Sequence, residues 1–356
     1  MRDDAQSRME RKKRMAAPKS QPKTDRRLRM DDVAERAGVS QMTVSRALRT
    51  PELVAVATRA RIEAAMAELD YVPDLLAGSL AARRSGLIAA VVSTFENAIF
   101  SQTIAGLTRC VEAAGFSILL GSSDYSATDE ERLLRAILGR RPDGVVLTGT
   151  LHTPRARRLL SMAGVPVVET WELPAEPVDM AVGFDNPAAG RAMTMALHGY
   201  GYRRIGFIGP GDEKDQRGLQ RREGYRTALA ALGMAPREVA VAAVVAGMES
   251  GPALLDELLA RFPDTDAVFC SLDAIAAGVL LAAQRRGIAT PQELAVAGFG
   301  DFAIAQPSGL DLTTVRIAGR DIGTRAGELV LARIRNETVP VRIVDIGFEV
   351  VRRSSA

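Results

Sequence analysis

Short apolar runs of strand length recur along most of this chain, and they begin only near residue 86. "GLIAAVV", "FSILLGSS", "DGVVLTG", "VPVVET", "RIGFIGP", "DAVFCS" and "ELAVAGFG" are nearly unbroken apolar stretches. Such runs fit strands buried on both faces. Helical spacing fills the gaps, as at residues 102–114 and 224–232. Alternating strand and helix patterns predict α/β lobes with parallel sheets and helices on both faces, and 356 residues leave room for two. In open sheets of this kind ligands bind beyond the carboxyl ends of the strands, so a cleft between lobes is the expected site.

Residues 30–70 follow a different rule and read as three short helices. The first, 31–37, stops at Gly38, a residue suited to the left-handed C-terminal cap. Ser40 can then cap a second helix over 41–48. The third lies in "TRARIEAAMAELDY", where Ile62, Ala65, Met66 and Leu69 recur at helical spacing. Two helices joined by a tight glycine turn fit an all-α helix-turn-helix headpiece, which sets the start of its second helix against base edges in the major groove. That geometry nominates Gln41, Met42 and Arg46 for bases and Thr43 and Ser45 for phosphates, with Val33, Ala34, Val44 and Leu48 on the packed side. Any small helical hairpin needs such a turn, so the motif alone leaves a purely structural reading open. After it, "YVPDLLAGSLAARRSG" offers Leu75, Leu76 and Leu80 too little company for a core and reads as a hinge.

Composition narrows the class. With 47% hydrophobic and 25% charged residues, and no apolar run near the roughly 18 residues of a membrane span, the chain reads as a globular protein. The first 30 residues lack the apolar region of a secretory leader, so the expected location is the cytoplasm. Residues 1–29 carry 11 Lys and Arg against 4 Asp and Glu, so a chain with net charge +3 is acidic beyond them. A disordered basic tail with loose attraction to phosphates is expected, with solubility as its other use. Cys110 and Cys270 sit in apolar segments outside any CxxC pair and read as buried thiols.

Catalytic signatures are missing. The two histidines, His152 in "LHTPR" and His198 in "LHGYG", lie in no acid–base motif and read as surface or loop residues. The glycines of "GFIGPGD" have the wrong spacing for a dinucleotide turn, and no Walker, GxSxG or HExxH motif occurs. No enzyme activity, cofactor or metal is therefore expected.

"MDDVAERAGVSQMTVSRALRTPELVAVATRARIEAAMAELDYVPDLLAGSLAARRSGLIAAVV" resembles the headpiece of LacI-family transcriptional regulators through its AGVSxxTVSR core, YxP and Ala-x-x-Leu hinge. The resemblance runs from about residue 29 to 350, and "TGTLHTPR", "AGVPVVE" and "MAVGFDN" are similar to the gluconate-utilisation repressor branch. It implies four parts: a basic tail over 1–29, the headpiece over 30–73, a hinge helix and linker over 74–85, and an effector-binding and dimerisation body over 86–356. It also implies a hinge over 74–82 that folds when a dimer sits on its operator, with Leu80 wedged into the minor groove. Two headpieces imply a near-palindromic operator. Asp74 replaces the usual Asn and Ala55 replaces a capping Ser; weaker operator binding is expected from both departures, with the basic tail as the feature that can offset it.

The body is expected to resemble the two-lobed periplasmic sugar-binding proteins. By position, Ser93, Asn97, Phe100, Arg217, Arg221, Asp273 and Asp301 should face the effector, and Trp171 falls where cleft residues occur. Guanidinium groups suit the carboxylate of a sugar acid, and Asn97 and Asp301 suit its hydroxyls. A solvated helix face remains open for the arginines, and core packing for Trp171. Leu272 departs from the Asn common at its position, which bears on the hydroxyl pattern and on gluconate itself. The expected protein is an allosteric homodimeric repressor released by gluconate or a related sugar acid; without leucine heptads in "FEVVRRSSA", dimer is favoured over tetramer. Another sugar effector, activation by a corepressor, a transport-type binding protein and a sugar-modifying enzyme are the alternatives.

Overall fold

The computed structural model describes residues 28–72, 85–96, 98–211, 214–241 and 247–356. It falls into two units that divide after Arg83. The basic tail, the hinge with Asp74 and Leu80, and Asn97 lie outside the described residues.

The first unit contains α1 (Met30–Ala37), α2 (Gln41–Arg49) and α3 (Val56–Glu68). Gly38 closes α1 at φ 66°, a left-handed turn that a side chain would strain, and its amide bonds back to Ala34 and Glu35. The Ser40 hydroxyl accepts the Thr43 amide at 3.2 Å and starts α2. α3 starts at Ala55 with no side-chain cap, the consequence expected of an alanine there. Val33, Ala34, Ala37, Val44, Ala47, Ile62 and Ala65 form the core. Leu48, expected on the packed side, is instead 39% exposed. The buried stripe of α2 runs through Val44 and Ala47, and the next residue turns about 100° away from it.

In the second unit the strands are β1 (Leu87–Val92), β2 (Ser117–Ser122), β3 (Gly144–Thr148), β4 (Val167–Thr170), β5 (Met180–Gly183) and β6 (Ile205–Pro210). Next come β7 (Arg237–Val241), β8 (Ala267–Cys270), β9 (Ala295–Gly300), β10 (Thr313–Arg316), β11 (Ile343–Asp345) and β12 (Glu349–Val351). Helices α4 (Ser101–Glu112), α5 (Ala127–Leu138), α6 (Pro154–Met162) and α11 (Gly319–Ile334) pack on one sheet. Helices α7 (Asn186–Gly199), α8 (Gln216–Ala231), α9 (Gly251–Arg261) and α10 (Asp273–Arg285) pack on the other.

The two six-stranded sheets run β11-β5-β4-β3-β1-β2 and β12-β10-β9-β8-β6-β7. All described pairings are parallel except that of β10 with β12. Ile88, Ala90 and Val92 face one core and Ala89 and Val91 another, so β1 is buried on both sides as its sequence requires. Cys270 is buried, whereas Cys110 is only partly so. The chain passes between the sheets after β5, after β10 and after β11.

The seven apolar runs all form strands. The strands not anticipated, β5, β7, β10, β11 and β12, are short, and four of them carry polar or charged residues. Helix α8 begins at Gln216, before the expected residue 224, because its first turns are dominated by Arg and Gln. Helices α4 and α11 approach so closely that a Cβ on Gly323 would lie 1.8 Å from the Thr103 carbonyl oxygen. Only glycine permits that contact, and it presses α11 onto the first sheet.

Candidate functional site

On α2, Gln41, Met42 and Arg46 are exposed, Met42 at 71%. Thr43 and Ser45 are half-buried, and the Thr43 hydroxyl lies 2.8 Å from that of Ser40. Arg36 on α1 pairs with Glu68 on α3, which ties the ends of the bundle together. Gln41 and Met42 in the first turn of α2 and Arg46 in the second thus present an amide, a thioether and a guanidinium to the outside; amides and guanidinium groups are of the kind that can hydrogen-bond base edges.

The second site forms where strand order reverses. In the first sheet β1 and β3 are neighbours, with β2 on the outer side of β1. Crevices at such points take ligands. Ser93 follows β1, Gly149 and Thr150 follow β3, Trp171 and Glu172 follow β4, and Asn186 opens α7 after β5. From the other sheet, α8 is capped by Asp215 and carries Arg217 and Arg221 on one face.

Arg217 reaches into the first lobe, while Arg221 lies against Asn186 at the start of α7 and Phe299 on β9. Arg217, 6% exposed, donates from Nη2 to Ser93 Oγ at 2.9 Å and from Nη1 to Glu172 Oε1 at 3.3 Å. Its guanidinium lies 5.4 Å from the Phe100 ring centre and 5.8 Å from that of Tyr125. Burial opposes the Arg217 charge, but Glu172, Tyr125 and Asp215 outweigh it and raise the group above its ordinary value. Gly149, at φ 98°, stands where a Cβ would meet Arg217 Nη1 at 2.7 Å, so a glycine keeps that place open.

Arg221, 1% exposed, donates from Nη1 to Asn186 Oδ1 at 2.8 Å and lies 4.2 Å over the Phe299 ring. Its carboxylate partner Asp215 is 3.9 Å away, and among the described residues its Nε has no hydrogen-bond partner. Burial therefore holds its guanidinium below the ordinary value, and Asp215 restores only part of the loss. The group is a buried cation short of an anion.

A cavity of about 40 Å³ lies among Ser93, Tyr125, Glu130, Gly149, Glu172 and Arg217. A second, of about 330 Å³, is lined by Thr150, Glu172, Phe184, Asn186 and Gln220. The first has room for roughly a water molecule, while the second lies within the usual range for small ligands. A wider surface cavity of about 510 Å³ between α6 and α11 opens at the amino ends of β4 and β5, away from this chemistry.

The structure thus brings Ser93, Phe100, Arg217 and Arg221 together and places other expected residues apart. Asp273 accepts the Phe302 amide at 2.9 Å and the Thr314 hydroxyl at 2.6 Å, and burial raises it to about 6. Asp301 is held by Arg316 at 2.6 Å and Arg353 at 2.7 Å. Among the described residues no hydrogen bond links these two aspartates to the arginine pair. Trp171 is 1% exposed; its ring packs edge-on against Phe100 and Phe184, and its Nε1 donates to Thr103 Oγ1 at 3.1 Å. Leu272 precedes α10 as a buried apolar residue.

Tyr125, Glu172, Asn186, Asp215 and Gln220 were not anticipated. Polar residues directly after apolar runs were the available signal for Glu172 and Thr150. His152 lies in a loop, one of the two settings expected of it, but its side chain is not at the surface: it is 1% exposed between Glu130 and Glu169. Two carboxylates from distant segments make that burial affordable. Among the described residues no cluster of His, Cys, Asp and Glu could hold a metal, and no helix is long and apolar enough to cross a membrane.

A helix-turn-helix unit joined in one chain to a two-sheet fold of this kind defines a DNA-binding transcriptional regulator with a periplasmic-binding-protein-like domain. Residues 29–74 match the family described as bacterial regulatory proteins, lacI family, and residues 194–356 match the periplasmic binding protein-like domain. The HTH-type transcriptional regulator GntR of Escherichia coli (strain K12) is 35% identical over 319 residues, covering 90% of this chain and 96% of that protein. A crystal structure of a LacI-family regulator from Silicibacter pomeroyi aligns with TM-score 0.86 at 34% identity, over 92% of this chain and 99% of the other. The transcription regulator GntR from Chromobacterium violaceum aligns with TM-score 0.71 at 38% identity, over 76% and 98% of the two chains. The chain belongs to the LacI family and is a sequence-specific DNA-binding transcriptional regulator.

Proposed function

We propose that this regulator is a homodimeric repressor acting in the cytoplasm, whose grip on a near-palindromic operator is loosened by a sugar acid, gluconate. Gln41, Met42 and Arg46 contact base edges, Thr43 and Ser45 contact phosphates, and Leu80 enters the minor groove. The observation that carries the effector half is the buried Arg221, whose Nε has no partner among the described residues and whose carboxylate partner is 3.9 Å away. A ligand carboxylate supplies the missing anion through charge-assisted bonds. Arg217, Ser93 and Asn97 bind beside it, and Phe100 and Trp171 form the apolar floor. Asp273 and Asp301 support the second lobe's wall and meet hydroxyls as the cleft closes. The similarity to regulators named GntR supports the same reading.

The mechanism has two states. Effector closes the lobes, shifts the paired headpieces apart and unfolds the hinge, to an extent set by its differential affinity for the two states. Fluorescence anisotropy tests this directly, with DNA from upstream of the gene and of neighbouring sugar-acid genes, with and without gluconate at fixed salt. Specific binding released by gluconate is the expected result. Specific binding that gluconate leaves untouched refutes the effector, and strengthened binding refutes the direction of the response.

A further inference from the structure

The loop over residues 149–153, between β3 and α6, carries a charged cluster that the effector reading leaves unused. His152 Nδ1 lies 2.6 Å from Glu130 Oε1 and Nε2 lies 3.2 Å from Glu169 Oε1, with both carboxylate side chains at most 7% exposed. A neutral imidazole has one N–H and can serve one carboxylate; only the imidazolium donates to both. Burial disfavours that cation, but the two glutamates outweigh it and raise His152 to about 9. The ring is therefore charged at neutral pH.

Other charges around the loop are engaged elsewhere. Glu131 on α5 accepts from Thr153 and pairs with Arg135 and Arg155. Glu172, beyond β4, accepts from Thr150 and Arg217.

The two clamped carboxylates differ in what their second oxygens do. Glu169 Oε2 accepts the Val178 amide at 2.6 Å, which anchors the cluster to the chain leading into β5. Glu130 lines the cleft cavity beside Ser93 and Arg217, and only its Oε1 is hydrogen-bonded among the described residues. The imidazolium is shared with Glu169, so it compensates only part of the Glu130 charge, and Arg217 lines the same cavity as a second cation. An acceptor in that setting suits a hydroxyl on a ligand that is itself an anion.

We infer that His152 is a positioning residue that sets ligand selectivity: it holds Glu130 in the cleft wall to accept a hydroxyl of a polyhydroxylated acid. The inference rests on the arginine cleft being the effector site.

The chain has two histidines, so ¹⁵N-histidine NMR of the full-length protein and its His198→Gln variant isolates the His152 signals. Both ring nitrogens of His152 should be protonated at pH 7.5 and titrate near 9. Glu130→Gln should move that midpoint back towards the ordinary value of about 6.5. Calorimetry then compares gluconate with hexanoate, a six-carbon acid without hydroxyls. His152→Gln should weaken gluconate binding about tenfold or more and narrow the preference over hexanoate. An ordinary His152 titration, or unchanged gluconate affinity and preference in His152→Gln, overturns the inference while leaving the cleft reading intact. Gluconate binding that survives Arg217→Gln unchanged refutes the cleft reading itself and takes the inference with it.

Discussion

Replacing Arg221 with Met tests the effector site at the group that most lacks a partner. The thioether can keep the packing over Phe299, where the guanidinium now sits 4.2 Å from the ring centre. The protein loses one good hydrogen bond, Nη1 to Asn186 at 2.8 Å, and is relieved of a buried cation whose ion pair is stretched to 3.9 Å. Those effects oppose each other, so global stability should change by no more than about 2 kcal/mol. The ligand loses more. Two charge-assisted bonds from Nε and Nη2 to a carboxylate are worth about 1.5–3 kcal/mol each, so gluconate affinity should fall by roughly 10²- to 10⁴-fold. Isothermal titration calorimetry measures that loss, and operator anisotropy without effector should match the unaltered protein. A variant that binds gluconate within about threefold of the unaltered protein, well under 1 kcal/mol, refutes the assignment of Arg221.

Four further outcomes are expected. Gly323→Ala drives a Cβ into the Thr103 carbonyl, so chemical denaturation should find the variant destabilised by about 3 kcal/mol. Ser40→Ala removes the cap on the Thr43 amide and should lower protection of the α2 amides in hydrogen exchange by about 1 kcal/mol. His152 has a folded-state value raised to about 9, so its contribution is full below its unfolded value near 6.5 and is lost as pH rises through 9. Unfolding free energy should therefore fall by up to about 3 kcal/mol across that window, and in His152→Gln the fall should be absent. Leu80→Ala should reduce operator affinity more than affinity for random DNA in anisotropy titrations, and equal losses would count against a minor-groove wedge.

Features encoded within a few residues were legible from sequence. Gly38 and Ser40 specify the turn between α1 and α2 locally, and β1, β3, β4, β6, β8 and β9 announce themselves because both of their faces are buried. The later, short strands β10 to β12 carry no such run, since their pairing is imposed by neighbours already in the sheet. Arg217 and Arg221 were visible as a spaced pair, but their partners Glu172 and Asn186 are single polar residues distant along the chain. His152 misled for the same reason: its two glutamates lie 22 and 17 residues away and meet it only when α5 and β4 are in place. Leu48 shows the limit on the helical side, where spacing narrows the buried stripe without choosing between adjacent residues.

The three passages of the chain between the sheets impose an order on synthesis. Strands β1 to β5 leave the ribosome early, yet α11 and the edge strand β11 that complete their sheet come from residues 319–345. The apolar surface around Leu107 and Val111 stays without its Gly323-bearing cover until nearly the whole chain is made. At about 5–20 residues per second the gap between β5 and the end of α11 is roughly 8 to 30 seconds. The second lobe's strands β6 to β10 are all made within that interval. The lobe started first stays open while most of the second is made, with only β12 of the second sheet still to follow, and during that interval it offers a sticky face to chaperones or to another nascent copy.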